Sequence, residues 1–363
     1  MNLADCTTLQ LGGPARRFVR AGTEAELIEE VRAADAGRDP VLILGGGSNL
    51  VVADAGFPGT VIQVATRGFS RDGEPGLVTV AAGEDWDAVV ARAVAEGLAG
   101  LECLSGIPGR AGATPIQNVG AYGQEVAQTI TRVRVLDRST GDVLEMPAAQ
   151  CGFGYRTSRF KADDAGRFVV LSVTFRLAVQ TLSMPVRYAE LATSLGVRVG
   201  DQVDSTEVRA AVIELRQGKG MVIDAADPDT RSAGSFFLNP VLDEATMDVL
   251  EKAARARCGE DTRVPRFEAG PGQVKVPAAW LIERAGFGKG YRLGDGARIS
   301  SKHTLALVST GSASTGPAST GSASTGPAST SALIALAAHI RDGVYDAFGV
   351  TLSPEPVLVG VTL

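Results

Sequence analysis

The chain has 363 residues, more than one ordinary hydrophobic core serves, so two or three domains are expected. Apolar residues make up 45% and charged residues 21%, a globular balance, and no run of about 18 apolar residues offers a membrane-spanning helix. The net charge is −6 with acids and bases mixed along the chain, which excludes the basic stripe of a nucleic-acid surface. Met1 to Gln10 lacks a basic start followed by an apolar stretch, so no secretory signal is expected and the cytoplasm is the expected location. Cys6, Cys103, Cys151 and Cys258 show no C-x-x-C spacing, and His303 and His339 are the only histidines. Neither a disulfide framework nor a metal site is expected.

In chain order, Thr23-Glu24-Ala25-Glu26 is a capping box ahead of Leu27, Ile28 and Val31, which predicts a helix to about Ala36. The apolar run 41–44 ends in three glycines and reads as a buried strand running into a turn. Further strands are predicted over 61–64 and 77–81. Asp85 can cap a helix carrying Trp86, Val89, Val90, Ala93 and Val94 on one face, with Gly97 as its stop. Alternation predicts strands over 132–136, 143–146 and 168–177. Val208, Ala211, Val212 and Leu215 mark a helix ending near Gly218. Helices are predicted over 244–258 and 278–285, with Gly286 just past the second. A strand is predicted over 305–308. Leu333, Leu336, Ala337, Ile340, Val344 and Phe348 mark a last helix, with Gly349 at C′. Two strands then flank Pro354-Glu355-Pro356. This mixture predicts an α+β fold, not one doubly wound sheet, and no G-x-G-x-x-G follows the first strand. Ser309 to Ala318 reads STGSASTGPA and 319–328 repeats it. Without charge or large apolar residues, 309–330 is expected to be a flexible low-complexity loop.

Two segments carry the chemistry. Gly45-Gly46-Gly47-Ser48-Asn49-Leu50 follows a predicted strand; glycines let successive N–H groups converge on an anion, although a structural turn uses the same residues. The second segment runs from Ser105 to Gly123 and reads SGIPGRAGATPIQNVGAYG. It holds five glycines, two prolines and one charge, Arg110. It is too apolar for a solvated loop and too broken for a helix or strand. A bound polar cofactor would satisfy such a backbone, and a buried irregular connection is the alternative.

With Gly154-Tyr155-Arg156-Thr157-Ser158, Arg216-Gln217-Gly218-Lys219, Ala233-Gly234-Ser235-Phe236-Phe237-Leu238-Asn239-Pro240 and Pro354-Glu355-Pro356, these segments resemble the UDP-N-acetylenolpyruvoylglucosamine reductase (MurB) family in its longer class, which keeps a tyrosine loop. The motifs span nearly the whole chain in order. The resemblance implies an FAD-binding domain of the vanillyl-alcohol-oxidase type in two subdomains, 1–68 with 350–363 and 69–218, plus a smaller α+β substrate-binding domain, 219–349. It implies non-covalent FAD, NADPH as hydride donor, and reduction of a nucleotide-sugar enol ether to UDP-N-acetylmuramate for peptidoglycan. Arg156 would pair with the substrate carboxylate, Ser235 would give the proton, and Glu355 would hydrogen-bond the developing enolate. FAD would be held by Gly45, Gly46, Gly47, Ser48, Asn49, Gly106, Pro108, Gly109, Gly112, Ala113, Gln117, Asn118, Gly120, Ala121 and Tyr122. Tyr155, Tyr188, Lys219 and Asn239 would bind substrate. No nucleic-acid or membrane partner is implied, and a monomer is expected. An FAD-dependent oxidase of the same superfamily is the alternative; with no His before 303, flavin attachment through a histidine of the FAD domain is ruled out. The repeat departs from the family, whose connection there is shorter, and the 221–232 stretch lacks a sharp motif, which loosens the match at Lys219.

Overall fold

The computed structural model describes residues 1–71, 73–310 and 328–363; the loop expected over the decapeptide repeat lies, for 311–327, outside the described residues. The chain divides into two units. One comprises Ala15–Gly47 and Phe57–Val222 with Met1, and the other Asn2–Pro14, Ser48–Gly56 and Ile223–Leu363. Strands and helices mix in both, the α+β class that the spacing predicts.

In the first unit the capping box forms as predicted. Thr23 Oγ1 accepts from the Glu26 N–H, the Glu26 carboxylate accepts from the Thr23 N–H, and the Glu24–Ala36 helix buries Leu27, Val31 and Ala34. A parallel sheet has Phe57–Val64 between Ala15–Ala21 and Val41–Leu44. An antiparallel sheet runs Val143–Pro147, Ile130–Asp137, Phe168–Arg176, Leu77–Ala81, Phe69–Arg71. Asp85 caps the Trp86–Ala95 helix by accepting from the Ala88 N–H. Trp86 is fully buried, lies 5.9 Å from Phe175, and donates from Nε1 to the Leu104 carbonyl at 3.2 Å. That bond fixes the start of the glycine-rich 105–123 segment to the core of the unit.

A smaller core lies between the Ala189–Leu195 and Ser205–Gly218 helices, where Cys103, Val186, Leu191, Val208 and Val212 pack with half-buried Tyr122. Burial pushes the Cys103 thiol well above its ordinary range, so it behaves as a small apolar group. The Ala189–Leu195 helix carries no sequence prediction. It has seven residues and buries only Leu191 and Ala192, too short a stripe to show a period.

In the second unit the Glu244–Cys258 and Ala278–Ala285 helices begin and end where the periodicity and Gly286 predict. The Thr330–Phe348 helix buries the predicted stripe and ends at Gly349, with φ +69°. Ser232–Ser235, Ala306–Ser309 and Ala297–Ile299 form a three-stranded antiparallel sheet, and Val357–Val359 runs parallel to Leu50–Val52. Only one of the two strands expected around Pro354-Glu355-Pro356 forms. Ahead of it Pro354 makes an isolated bridge to Phe237, and with no N–H to donate it ends the pairing there.

Candidate active site

In the first unit the glycine-rich backbone is shaped by the side chains it lacks. A Cβ on Gly46 would stand 2.8 Å from the Gly109 Cα, so these two backbones touch only because residue 46 is glycine. Gly45 lies beside Arg110 and Ala113, and a Cβ on Gly112 would stand 2.5 Å from the Ala82 Cβ. Beneath this turn, Asp87 accepts from the Gly106 N–H at 2.6 Å and from both terminal nitrogens of Arg209, at 2.6 and 2.8 Å. Burial raises the Asp87 pKa, but Arg209 and the Gly106 amide outweigh it and hold the carboxyl below its ordinary range.

Strained backbone gathers around Arg156. Of the five non-glycine residues with positive φ among the described residues, three are Asn118 (+46°), Tyr122 (+49°) and Arg156 (+52°). Such conformations persist only where their surroundings over-determine them. Gly154 and Thr157 close a tight turn with Tyr155 and Arg156 at its tip. Arg156 donates to the Gly120 carbonyl at 2.5 Å and to the Asn118 carbonyl at 3.4 Å, and lies 5.7 Å from the Tyr155 ring. The Asn118 side chain donates to Glu125 and to the Gly154 carbonyl and accepts from the Ala127 N–H. Asn118 therefore acts here as scaffold for the turn that aims Arg156. Pro108 and Gln117 lie in the same segment.

Tyr122 is the hub of the next cluster. Its ring meets Tyr188 edge-on at 5.4 Å, and the Lys219 ammonium stands 5.6 Å from its centroid. Burial pushes the Tyr122 phenol up to about 12, so it is neutral at any working pH. Beside it, Arg216 donates to the Met221 carbonyl at 2.9 Å, while its buried Nε has no hydrogen-bond partner among the described residues. That Nε would lie 3.5 Å from a Cβ on Gly106. Burial lowers the Arg216 pKa, and Arg156 adds to the shift. A buried donor that carries charge and lacks a partner is costly unless an anion or carbonyl completes it.

Fully buried Glu102 holds the flanks of this region. It accepts from the Gly100 N–H at 2.6 Å, Gln124 Nε2 at 2.8 Å and the Met184 N–H at 2.7 Å. One carboxylate thus joins the residues before the glycine-rich segment to the loop that leads to Tyr188.

In the second unit, Ser235 and Glu355 come together although 120 positions separate them. The Glu355 N–H donates to the Phe236 carbonyl at 2.9 Å, and the Leu238 N–H to the Ser353 carbonyl at 3.0 Å. The Ser232–Ser235 strand is irregular in register before Ser235, at Gly234, with φ +75°. Such an irregularity re-aims the next side chain. Phe236 and Phe237, both 1% exposed and packed edge-on, anchor the strand below. Asn239 caps the Ala278–Ala285 helix, its Oδ1 accepting from the Ala278 N–H. Asn49 accepts from the Val357 N–H through its carbonyl. The 45–50 motif is thus shared, Gly45 to Gly47 counting with the first unit and Ser48 and Asn49 with the second.

Sequence reasoning gives no role to Asp87, Arg209, Glu102, Glu190 or Arg216. Only Arg216 has a local signal, since it stands three residues before Lys219 in the last turn of a helix. Asp87 and Arg209 lie 122 positions apart, and no spacing rule spans that distance.

Against known proteins, an FAD binding domain family matches residues 15–147, and a family described as UDP-N-acetylenolpyruvoylglucosamine reductase, C-terminal domain, matches 227–318. UDP-N-acetylenolpyruvoylglucosamine reductases of Thermobifida fusca and Streptomyces avermitilis are each 53% identical, aligned over 99% of this chain and 97% and 94% of theirs. A crystal structure of the reductase from Thermus caldophilus superposes with a TM-score of 0.63 at 26% identity, covering 99% of this chain and 97% of that one.

Proposed function

The chain belongs to the UDP-N-acetylenolpyruvoylglucosamine reductase family, and from that premise we propose how its own residues divide the work of reduction. The enzyme reduces UDP-N-acetylglucosamine enolpyruvate to UDP-N-acetylmuramate, a step of peptidoglycan precursor synthesis. Bound FAD supplies the two-electron relay from NADPH to the enol ether. The residues suit that group. Gly46 and Gly109 meet backbone to backbone with no side chain between them, and the buried Arg216 Nε, which has no partner among the described residues, can donate to a bound acceptor.

Arg156 holds the substrate carboxylate. Its guanidinium offers a planar fork of donors, and its fixed turn sets that fork before the ligand arrives. As hydride reaches C3, negative charge grows at C2 and spreads into the carboxylate, where a preorganised cation stabilises it. Ser235 delivers the proton to C2. A serine hydroxyl is a weak acid, yet a carbanion-like acceptor makes the transfer downhill, and no activating triad is needed. Glu355 hydrogen-bonds the developing enolate. Tyr188 and Lys219 hold the diphosphate, with Tyr155 and Asn239 on the rest of the substrate. We place the enzyme in the cytoplasm as a monomer; among the described residues no helix is long and apolar enough to cross a membrane.

One observation carries the assignment of proton donor and enolate partner: the backbone bond that sets Glu355 beside the Ser235 strand. Anaerobic stopped-flow tests the whole reading. NADPH should bleach the flavin, and the UDP-linked enol ether should restore its colour. Bleaching that the enol ether leaves unreversed would refute it.

A further inference from the structure

Lys219 and Glu190 form an ion pair that the reaction does not need. Lys219 Nζ stands 2.6 Å from Glu190 Oε2, and the two side chains are 31% and 41% exposed. Lys219 sits at the C-terminal cap of the Ser205–Gly218 helix. Glu190 lies in the first turn of the Ala189–Leu195 helix, two residues after Tyr188. Tyr188 and Lys219 both approach the Tyr122 ring. Glu190 thus occupies the ammonium from the same short segment that presents Tyr188.

An exposed pair of this kind adds little to the stability of the fold, so it opens readily. It matters more for binding. The Glu190 carboxylate already neutralises the Lys219 ammonium, so a ligand phosphate held by Lys219 either displaces that carboxylate or lies beside a second negative charge. We propose that Glu190 is a specificity-determining residue: an internal anion that screens the Lys219 site against weakly held anions and yields to a nucleoside diphosphate. A single carboxylate competes well with a monoanion that brings no other contact. It competes poorly with a diphosphate, which offers more charge and is held at its nucleoside end as well. The proposal rests on Lys219 as the diphosphate contact.

The test uses full-length, FAD-loaded enzyme and calorimetric titration with UDP, uridine and inorganic phosphate. Glu190→Gln should tighten UDP three- to tenfold, tighten phosphate by a larger factor, and leave uridine unchanged. Glu190→Ala should act in the same direction, and far-UV circular dichroism with flavin content checks that each variant is folded. Lys219→Met should weaken UDP at least tenfold, and in that background Glu190→Gln should no longer tighten it. If Lys219→Met weakens UDP but Glu190→Gln leaves it unchanged or weaker, the screening role is overturned while the phosphate site stands. If Lys219→Met leaves UDP binding intact, the phosphate assignment itself is wrong and the screening role falls with it.

Discussion

The glycine-rich region of the first unit and the Ser235 region of the second prepare backbone for a ligand by opposite means. Around Gly46, Gly109 and Arg156 there is little regular pairing. The shape comes from missing side chains, three positive-φ residues and a buried arginine, one of whose nitrogens has no partner among the described residues. Around Ser235 the backbone is tied by strand bonds to Leu305 and Glu355 over two buried phenylalanines, with one irregularity at Gly234. The first arrangement leaves one buried guanidinium nitrogen without a partner among the described residues. The second is held by backbone hydrogen bonds on both sides of Phe236. Substitutions in the first should therefore be read in cofactor affinity, and those in the second in the rate of a single chemical step.

Ser235→Ala is the sharpest way to break that contrast. Flavin reduction by NADPH should persist, while reoxidation by the enol ether should slow by about 10²–10⁴-fold, the range for a positioned acid. Equal losses in both half-reactions, measured by stopped-flow, would make Ser235 a structural residue. Next in size is Arg216→Met. If a bound acceptor completes that guanidinium, FAD should bind about 10- to 100-fold more weakly, the scale of one hydrogen bond to a charged group. Fluorescence titration of apoprotein with FAD measures this; unchanged affinity would show that the nitrogen meets no cofactor atom.

Gly46→Ala should cost about 1–3 kcal/mol as overpacking against Gly109. Flavin retention should fall along with the melting temperature. A Cβ on Gly288 would meet open space, and its φ is not positive, so Gly288→Ala should stay within about 0.5 kcal/mol on the same thermal melt. Equal shifts for the two would sink the claim that close approach matters at Gly46.

The smallest effect is expected from acid. The Asp87 carboxyl has a lowered pKa, so its stabilising contribution is present above the unfolded value of about 3.9 and is lost as pH falls through the lower folded one. Flavin release followed by fluorescence should show a step below about pH 4 that Asp87→Asn diminishes. An identical release curve in the variant would detach Asp87 from the cofactor turn.

What could be read from the residues follows the range of the forces involved. The helices Glu24–Ala36, Glu244–Cys258 and Ala278–Ala285 were legible because caps and apolar stripes act within a few turns. Over 105–123 the composition suits no long regular element, and only the short turn Ala111–Ala113 and the two-residue strand Gly120–Ala121 form there. The strand expected before Pro354 was misread because apolar residues there pack without a ladder, next to a residue that cannot donate. Asn118 and Asn239 were legible as positions within motifs. That their side chains hold a turn and cap a helix was not, since their partners come from other elements.

By itself, then, the order of residues determined the local elements and the family. Tertiary structure decided which distant groups meet: Asp87 with Arg209, Lys219 with Glu190, the Glu355 backbone with the Ser235 strand. The reason is one of range. Helix caps and side-chain periodicity act over about four residues. Pairings across a hundred positions are selected only when whole elements pack and bury what they share.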